Sequence, residues 1–318
     1  MAPAPAPFGE SWLGRLPLVG RLLAPLVQVW DEIDAQMAAQ RALQGPAEAA
    51  ADRARVRQIL VVGAVLLVLG YSFGDRPFFQ QTFAPALERR PRLWPYLELL
   101  GFTYWSAAKL LGYGLLPLLH ARLLGDRPRD LGLGLRPAAV SLVQRPPGPR
   151  DASGAAGPAG QADAGRPRLR FSRTYLLLVL GFLPVVFVVS RTAAFQESYP
   201  FYRLASRSLF DFLAWELQYL CTFVAVEFFF RGYLLFGLLR PLGTHALFVS
   251  MVPYCMIHML KPAPEALGSI AAGLLLGTLA LGTGSLWCGA LVHITIALSM
   301  DLFASFQAGT LPSLHRFF

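Results

Sequence analysis

Charge is the scarcest resource in this chain. Of its 318 residues only 15% are Asp, Glu, Lys or Arg, against roughly 25% in soluble domains. With 55% hydrophobic residues and a mean hydropathy of +0.48, lipid is the expected solvent for most of it. Cysteine is equally sparse: Cys221, Cys255 and Cys288 are scattered through apolar runs without paired spacing, which argues against a disulfide framework and a zinc ribbon. Residues 1–7 are proline-rich and lack a charged segment leading into an apolar one, so no cleaved signal peptide is expected. There is no internal repeat and no matched pair of broken apolar segments, which sets a transporter aside. The net charge of +9 raises nucleic acid as a partner, but the basic residues are not interleaved with exposed aromatics. They lie outside the apolar runs, as in cytoplasmic loops, and no nucleic-acid partner is expected.

The apolar runs predict an all-α, multi-pass transmembrane helix bundle of about seven to eight spans. Arg53, Arg55 and Arg57 precede the first, over 58–74, as for a helix entering from the cytoplasm. The second, 97–119, holds Lys109 at its centre, where a structural ion pair is the expected remedy for a buried ammonium. The third covers 174–190, with Pro184 inside it, and the rest fall at 209–239, 245–260, 267–281 and 286–306. Residues 1–55 form a leader and an arm with amphipathic character, suited either to a bilayer surface or to solvent. Residues 56–120 form a first transmembrane pair. Residues 121–173 carry ten arginines against four aspartates among Pro, Gly and Ala and are expected as a disordered cytoplasmic linker that can hold anionic lipid headgroups. Residues 174–308 form the C-terminal bundle. Membrane lipids are partners of such a protein, and its place is an integral membrane, the cytoplasmic one if the cell is bacterial.

Ionisable groups inside spans are costly and mark pairs, pathways or active sites. Glu227 and Arg231 stand four residues apart on one helix face, close enough for a charge-assisted hydrogen bond. His258 closes the fifth span, and His293 is the only acidic or basic side chain between residues 266 and 300 apart from the thiol of Cys288. A carboxylate and two imidazoles on three spans are a plausible set for deprotonating water. Asp301 lies eight residues after His293 on the same face, and Glu227, His258, His293 and Asp301 together make a nitrogen and oxygen set suited to zinc. The helical His-Glu-x-x-His motif of common zinc proteases is absent. Glu216, eleven residues before Glu227, faces the same way and is expected at an interface, and Lys261 with Glu265 is expected to cap the loop after the fifth span.

Three ordered segments carry a resemblance: Val226-Glu227-Phe-Phe-Phe-Arg231-Gly232, Tyr254-x-x-x-His258 and His293-x-x-x-Ala297, the last approached by Thr283-Gly284-Ser285-Leu286-Trp287. They resemble the CAAX prenyl protease and bacteriocin-processing family, whose motifs are Glu-Glu-x-x-x-Arg, Phe-x-x-x-His and His-x-x-x-Asn. The resemblance implies an intramembrane endopeptidase acting on a membrane-associated peptide or protein, with Glu227 and His258 activating water and His293 on the oxyanion. Val226 stands in the place of the first glutamate and Ala297 in the place of the asparagine. Losing an oxyanion donor typically costs roughly a hundredfold to a thousandfold in rate, for which Asp301, through a metal or a water, is the candidate replacement. The alternative is a non-proteolytic membrane scaffold or immunity-type protein that keeps the polar cluster for structure.

Overall fold

The computed structural model describes residues 17–134 and 171–312. The leader at 1–16 and most of the expected linker, 135–170, lie outside the described residues. The described chain is helical and without strands. It opens with α1 (Pro17–Ala42) and α2 (Pro46–Ser72), followed by the short α3 (Arg76–Thr82) and α4 (Ala84–Glu88). Next, α5 (Leu97–Lys109) runs through a π-helical stretch (Leu110–Leu115) into α6 (Leu116–Leu123). After the undescribed segment come α7 (Phe171–Val189), α8 (Ala193–Ser198) and a 3-10 turn (Arg203–Arg207). The C-terminal part is built from α9 (Leu209–Glu227), a second π-helical stretch (Phe228–Phe236), α10 (Gly237–Leu242), α11 (His245–Met256), α12 (Ala263–Thr283) and α13 (Trp287–Gln307).

Four of these helical runs are long and apolar enough to cross a membrane: Pro46–Ser72, Leu209–Leu242, Ala263–Thr283 and Trp287–Gln307. The shorter apolar helices Arg173–Val189 and His245–Met256, with the interrupted helix through 97–123, make a bundle compatible with the seven or eight spans expected. Burial sorts the runs into a centre and a rim. The apolar window of Leu209–Leu242 is 89% buried, whereas that of Pro46–Ser72 is 17% buried. The centre is packed by Phe229, Phe230, Tyr233, Leu235 and Leu238. The outer faces of α2 and α7 leave Val61, Val65, Val68, Leu177, Leu180 and Val188 uncovered, as helices facing acyl chains do.

Local chemistry sets the ends. Asp75 and Ser208 accept from the backbone N–H groups of Phe78 and Asp211, capping α3 and α9. Gly284 ends α12 in the left-handed conformation. Helices α9 and α13 run antiparallel, since Glu227 near the top of one meets His293 near the start of the other, while Trp215 meets Asp301. Helix α7 lies alongside α13 in the same direction, joined by a Tyr175–Thr295 hydroxyl bond of 2.9 Å and by Phe187 against Phe303.

Two parts outside the C-terminal bundle are tied into it. Helix α1 buries Val29, Ile33 and Met37, its Trp30 indole donates to Thr278 Oγ1 at 2.9 Å, and Asp34 accepts from the backbone N–H of Thr244 at 2.8 Å. That helix is therefore a docked element, neither a solvated arm nor one held only by lipid. Residues 121–134, the start of the expected linker, fold as the end of α6 and a 3-10 turn with Leu131 buried. The Gly132 carbonyl accepts from Leu286 N at 3.0 Å and Ser285 Oγ at 3.3 Å, and the Leu133 carbonyl from the Trp287 indole at 3.1 Å. This strap pins the turn between α12 and α13. Gly132 has φ +72°, and a Cβ there would collide with the ring of Phe236.

Lys109 departs from expectation. Among the described residues no carboxylate lies within ion-pair distance of it; its ammonium is 3.4 Å from the Tyr113 hydroxyl and 4.6 Å from the Tyr113 ring centroid. A cation over an aromatic face replaces the ion pair.

Candidate active site

Glu227 ends α9 just before the π-helical stretch, and its side chain is fully buried. Its Oε1 accepts from Arg231 Nη1 at 3.1 Å and lies 2.6 Å from His293 Nδ1. The expected pairing of Glu227 with Arg231 is present, and His293 joins them from α13. Oε2 is buried without a hydrogen-bond partner, as is Nη2 of Arg231. Gly289 leaves room beside that oxygen: a Cβ at 289 would stand 3.7 Å from Oε2. Buried polar atoms are normally satisfied, so an acceptor and a donor left over in one cluster mark a place that suits a water or a substrate amide.

The imidazole of His293 is shaped by this contact. A carboxylate oxygen only accepts, so Nδ1 carries the proton, and Nε2 is the nitrogen left to act on something else. The His293 side chain retains 15% exposure, while Glu227 retains none. Phe223, one turn before Glu227 on α9, packs against the imidazole at 4.6 Å between ring centroids and holds its plane.

His258 lies just beyond the end of α11. Its Nδ1 is 2.8 Å from the Tyr254 carbonyl, so Nδ1 is again the protonated nitrogen and Nε2 the free one. The Tyr254 ring stands between the groups: its centroid is 4.7 Å from that of His258, 6.2 Å from that of His293 and 4.2 Å from Cζ of Arg231. Both imidazoles therefore border one buried aromatic ring, but the hydrogen bond to Glu227 belongs to His293.

Asp301 is placed elsewhere. Eight residues along a helix carry it about 12 Å from His293, and its Oδ2 accepts from the Trp215 indole at 2.7 Å. Sharing a helix face brought the two no closer than two turns. Glu216, expected at an interface, is buried on α9 beside Trp215, with Oε2 lacking a hydrogen-bond partner. Ala297 fills the level between His293 and Asp301 and packs in an aromatic cluster with Trp215 and Tyr219.

The zinc set drawn from Glu227, His258, His293 and Asp301 does not fit this arrangement. Among the described residues no three His, Cys, Asp or Glu side chains are grouped to hold a metal ion. Glu227 is already committed to a guanidinium, which competes with any cation for the same carboxylate.

Below His258, Lys261 and Glu265 form the expected pair, joined by Tyr199, whose hydroxyl donates to the Glu265 carboxylate at 3.0 Å. Burial first, and the Glu265 charge second, hold the Tyr199 phenol far above its ordinary value. Tyr199 therefore stays a neutral donor at the mouth of the bundle. Sequence reasoning missed it because nothing in the spacing links residue 199 to residue 265.

Comparison with known proteins bears on the same segment. No curated protein and no solved structure matches the chain. Residues 208–299, the segment of this integral membrane protein that carries Glu227, Arg231, His258 and His293, match the family model described as type II CAAX prenyl endopeptidase Rce1-like.

Proposed function

We propose that the protein is an intramembrane endopeptidase of the CAAX-protease type, acting on a membrane-associated peptide or protein, in which His293 is the base and Glu227 the carboxylate behind it. The observation that carries this reading is the 2.6 Å contact between Glu227 Oε1 and His293 Nδ1, with Arg231 fixing the far side of the carboxylate. A carboxylate behind an imidazole selects its tautomer and stabilises the imidazolium that forms. His293 Nε2 takes a proton from water, the resulting hydroxide attacks the peptide carbonyl, and the C–N bond breaks as the leaving amine receives a proton. His258 Nε2, the second free imidazole nitrogen beside Tyr254, is the group available to assist that departure. The reading differs from the resemblance in one respect: Glu227 acts through His293, because its Oε1 is engaged by the His293 imidazole and by Arg231.

The family match supports peptide hydrolysis as the reaction class. A scaffold reading is favoured by a different observation, the enclosure of the Glu227–Arg231 pair, which suits a structural brace. One experiment separates them. In bilayer, the purified protein is expected to cleave an internally quenched peptide bearing a lipidated C-terminus, and His293→Ala and His258→Ala are each expected to remove that turnover with the fold intact. A wild-type protein that cleaves no such peptide, or an undiminished His293→Ala variant, overturns the protease reading and leaves the scaffold.

A further inference from the structure

A second polar site stands apart from the catalytic cluster, at the opposite end of α2 from Arg55. Helices α3 and α4 pack against α5 around a half-open cleft of about 530 Å³ lined by Arg76, Gln80, Glu88 and Glu98 over a floor that includes Phe79 and Leu97. That volume falls in the range of small-ligand sites. The level in the membrane is set by aromatics: Phe73, Phe78, Phe83 and Tyr104 pack as one cluster beside the cleft, and Tyr71 and Trp94 are exposed, as at a headgroup boundary.

The cleft contains one cation and two anions, and they are poorly matched to each other. Arg76 is stacked on Phe102, Cζ to ring centroid 3.9 Å, and its Nε is buried without a partner. Its only ion pair among the described residues is with Glu98 at 3.7 Å, longer than the 2.7–2.9 Å of a charge-assisted hydrogen bond. Burial pulls the guanidinium below its ordinary value, and Glu98 offsets this only in part. Glu88, at the end of α4, is exposed and has no ion pair among the described residues. The fork of Arg76 is therefore open to a second, better-placed anion, and two carboxylates wait beside it for a cation.

We propose that this cleft binds the headgroup of a phospholipid that carries a primary ammonium next to its phosphate, an ethanolamine phospholipid, with the phosphate on Arg76 and the ammonium between Glu88 and Glu98. A choline headgroup has no N–H to give the carboxylates, and a glycerol headgroup offers them neutral hydroxyls but no cation. The exposed Arg89, Arg90 and Arg92 next to the cleft concentrate phosphates of any kind at this rim, so selectivity must come from the carboxylates.

The test is lipid retention by the full-length protein. After delipidation in detergent it is offered equal amounts of phosphatidylethanolamine, phosphatidylcholine and phosphatidylglycerol, and the lipid that stays bound is read by native mass spectrometry. The ethanolamine lipid is expected to be retained roughly tenfold over choline. Arg76→Gln is expected to lose that retention, and Glu88→Gln to keep a bound phospholipid while losing the preference for ethanolamine. Soluble glycerophosphoethanolamine is expected to displace the lipid; displacement failing while retention persists would assign the binding to acyl chains and sink the headgroup proposal. Equal retention of the three lipids, or unchanged selectivity in Glu88→Gln, overturns it as well. Because Arg76 also packs on Phe102, the exposed Glu88 keeps the test decisive if Arg76→Gln does not fold. None of these readouts depends on proteolysis.

Discussion

Replacing Glu227 by Gln separates two things that the carboxylate does at once. The side chain keeps its shape and its carbonyl oxygen still faces His293 Nδ1, but the charge opposite Arg231 is gone. Arg231 is 2% exposed, so its guanidinium is left enclosed without a counter-ion, and breaking one half of a buried pair costs about 3–5 kcal/mol. The same change removes the negative charge that stabilises an imidazolium at His293. When the carboxylate behind a catalytic imidazole becomes an amide, turnover falls by roughly 10⁴-fold. Both effects are expected in Glu227→Gln. The double variant Glu227→Gln/Arg231→Gln removes the orphaned charge and is expected to regain most of the stability and none of the turnover. The assay is cleavage of the quenched peptide in bilayer, paired with a thermal unfolding curve for each variant. Recovery of turnover in the double variant would refute the reasoning, since it would mean that the carboxylate matters only as a brace.

Three further outcomes follow from the packing. Asp301→Asn is expected to leave turnover within a few-fold of wild type, because the residue lies about two helical turns from His293 and serves the Trp215 indole; loss of turnover out of proportion to loss of stability would return Asp301 to the site. Gly132→Ala is expected to destabilise by about 2 kcal/mol or more, since the left-handed φ and the contact with Phe236 both reject a Cβ; faster limited proteolysis after residue 134 is the check, and an unchanged cutting pattern would count against the strap. Asp34→Ala is expected to cost about 1 kcal/mol by removing the acceptor at the start of α11, read as a lowered unfolding midpoint; an unchanged midpoint would show that α1 is held by its apolar face alone.

Much of this molecule could be foreseen from its order of residues, and the limits have identifiable causes. Runs without charge mark helices directly, because an unpaired charge in lipid is penalised wherever it falls. Glu227 and Arg231 could be paired from their spacing, since both lie on one helix. The partner of Glu227 on another helix could not, because the level at which α9 meets α13 depends on how two surfaces interlock. The resemblance pairs Glu227 with His258 in activating water and puts His293 on the oxyanion, whereas the level at which the helices meet gives the Glu227 hydrogen bond to His293. Asp301 shows the complementary error: a common face on a helical wheel says nothing of distance along the axis. The chain contains no asparagine at all, and at the level where the family motif carries one the aromatic packing around Ala297 fills the space. Lys109 departs from the expected ion pair because the Tyr113 ring takes the place of a counter-ion.

The π-helical stretch from Phe228 to Phe236 acts as a phase shifter. Across its nine residues the wider i→i+5 turns rotate the chain less per residue than an α-helix does, and the lag offsets the faces of the helical parts on either side. One continuous rod therefore serves two clients on different sides. Its lower part presents Trp215, Phe223 and Glu227 to α13, while its upper part turns the Gly237 carbonyl and Arg240 toward Arg55 and Asp52 of α2. A single-residue deletion within 228–236, which shortens the stretch while leaving composition almost untouched, would rotate one client out of register with the other.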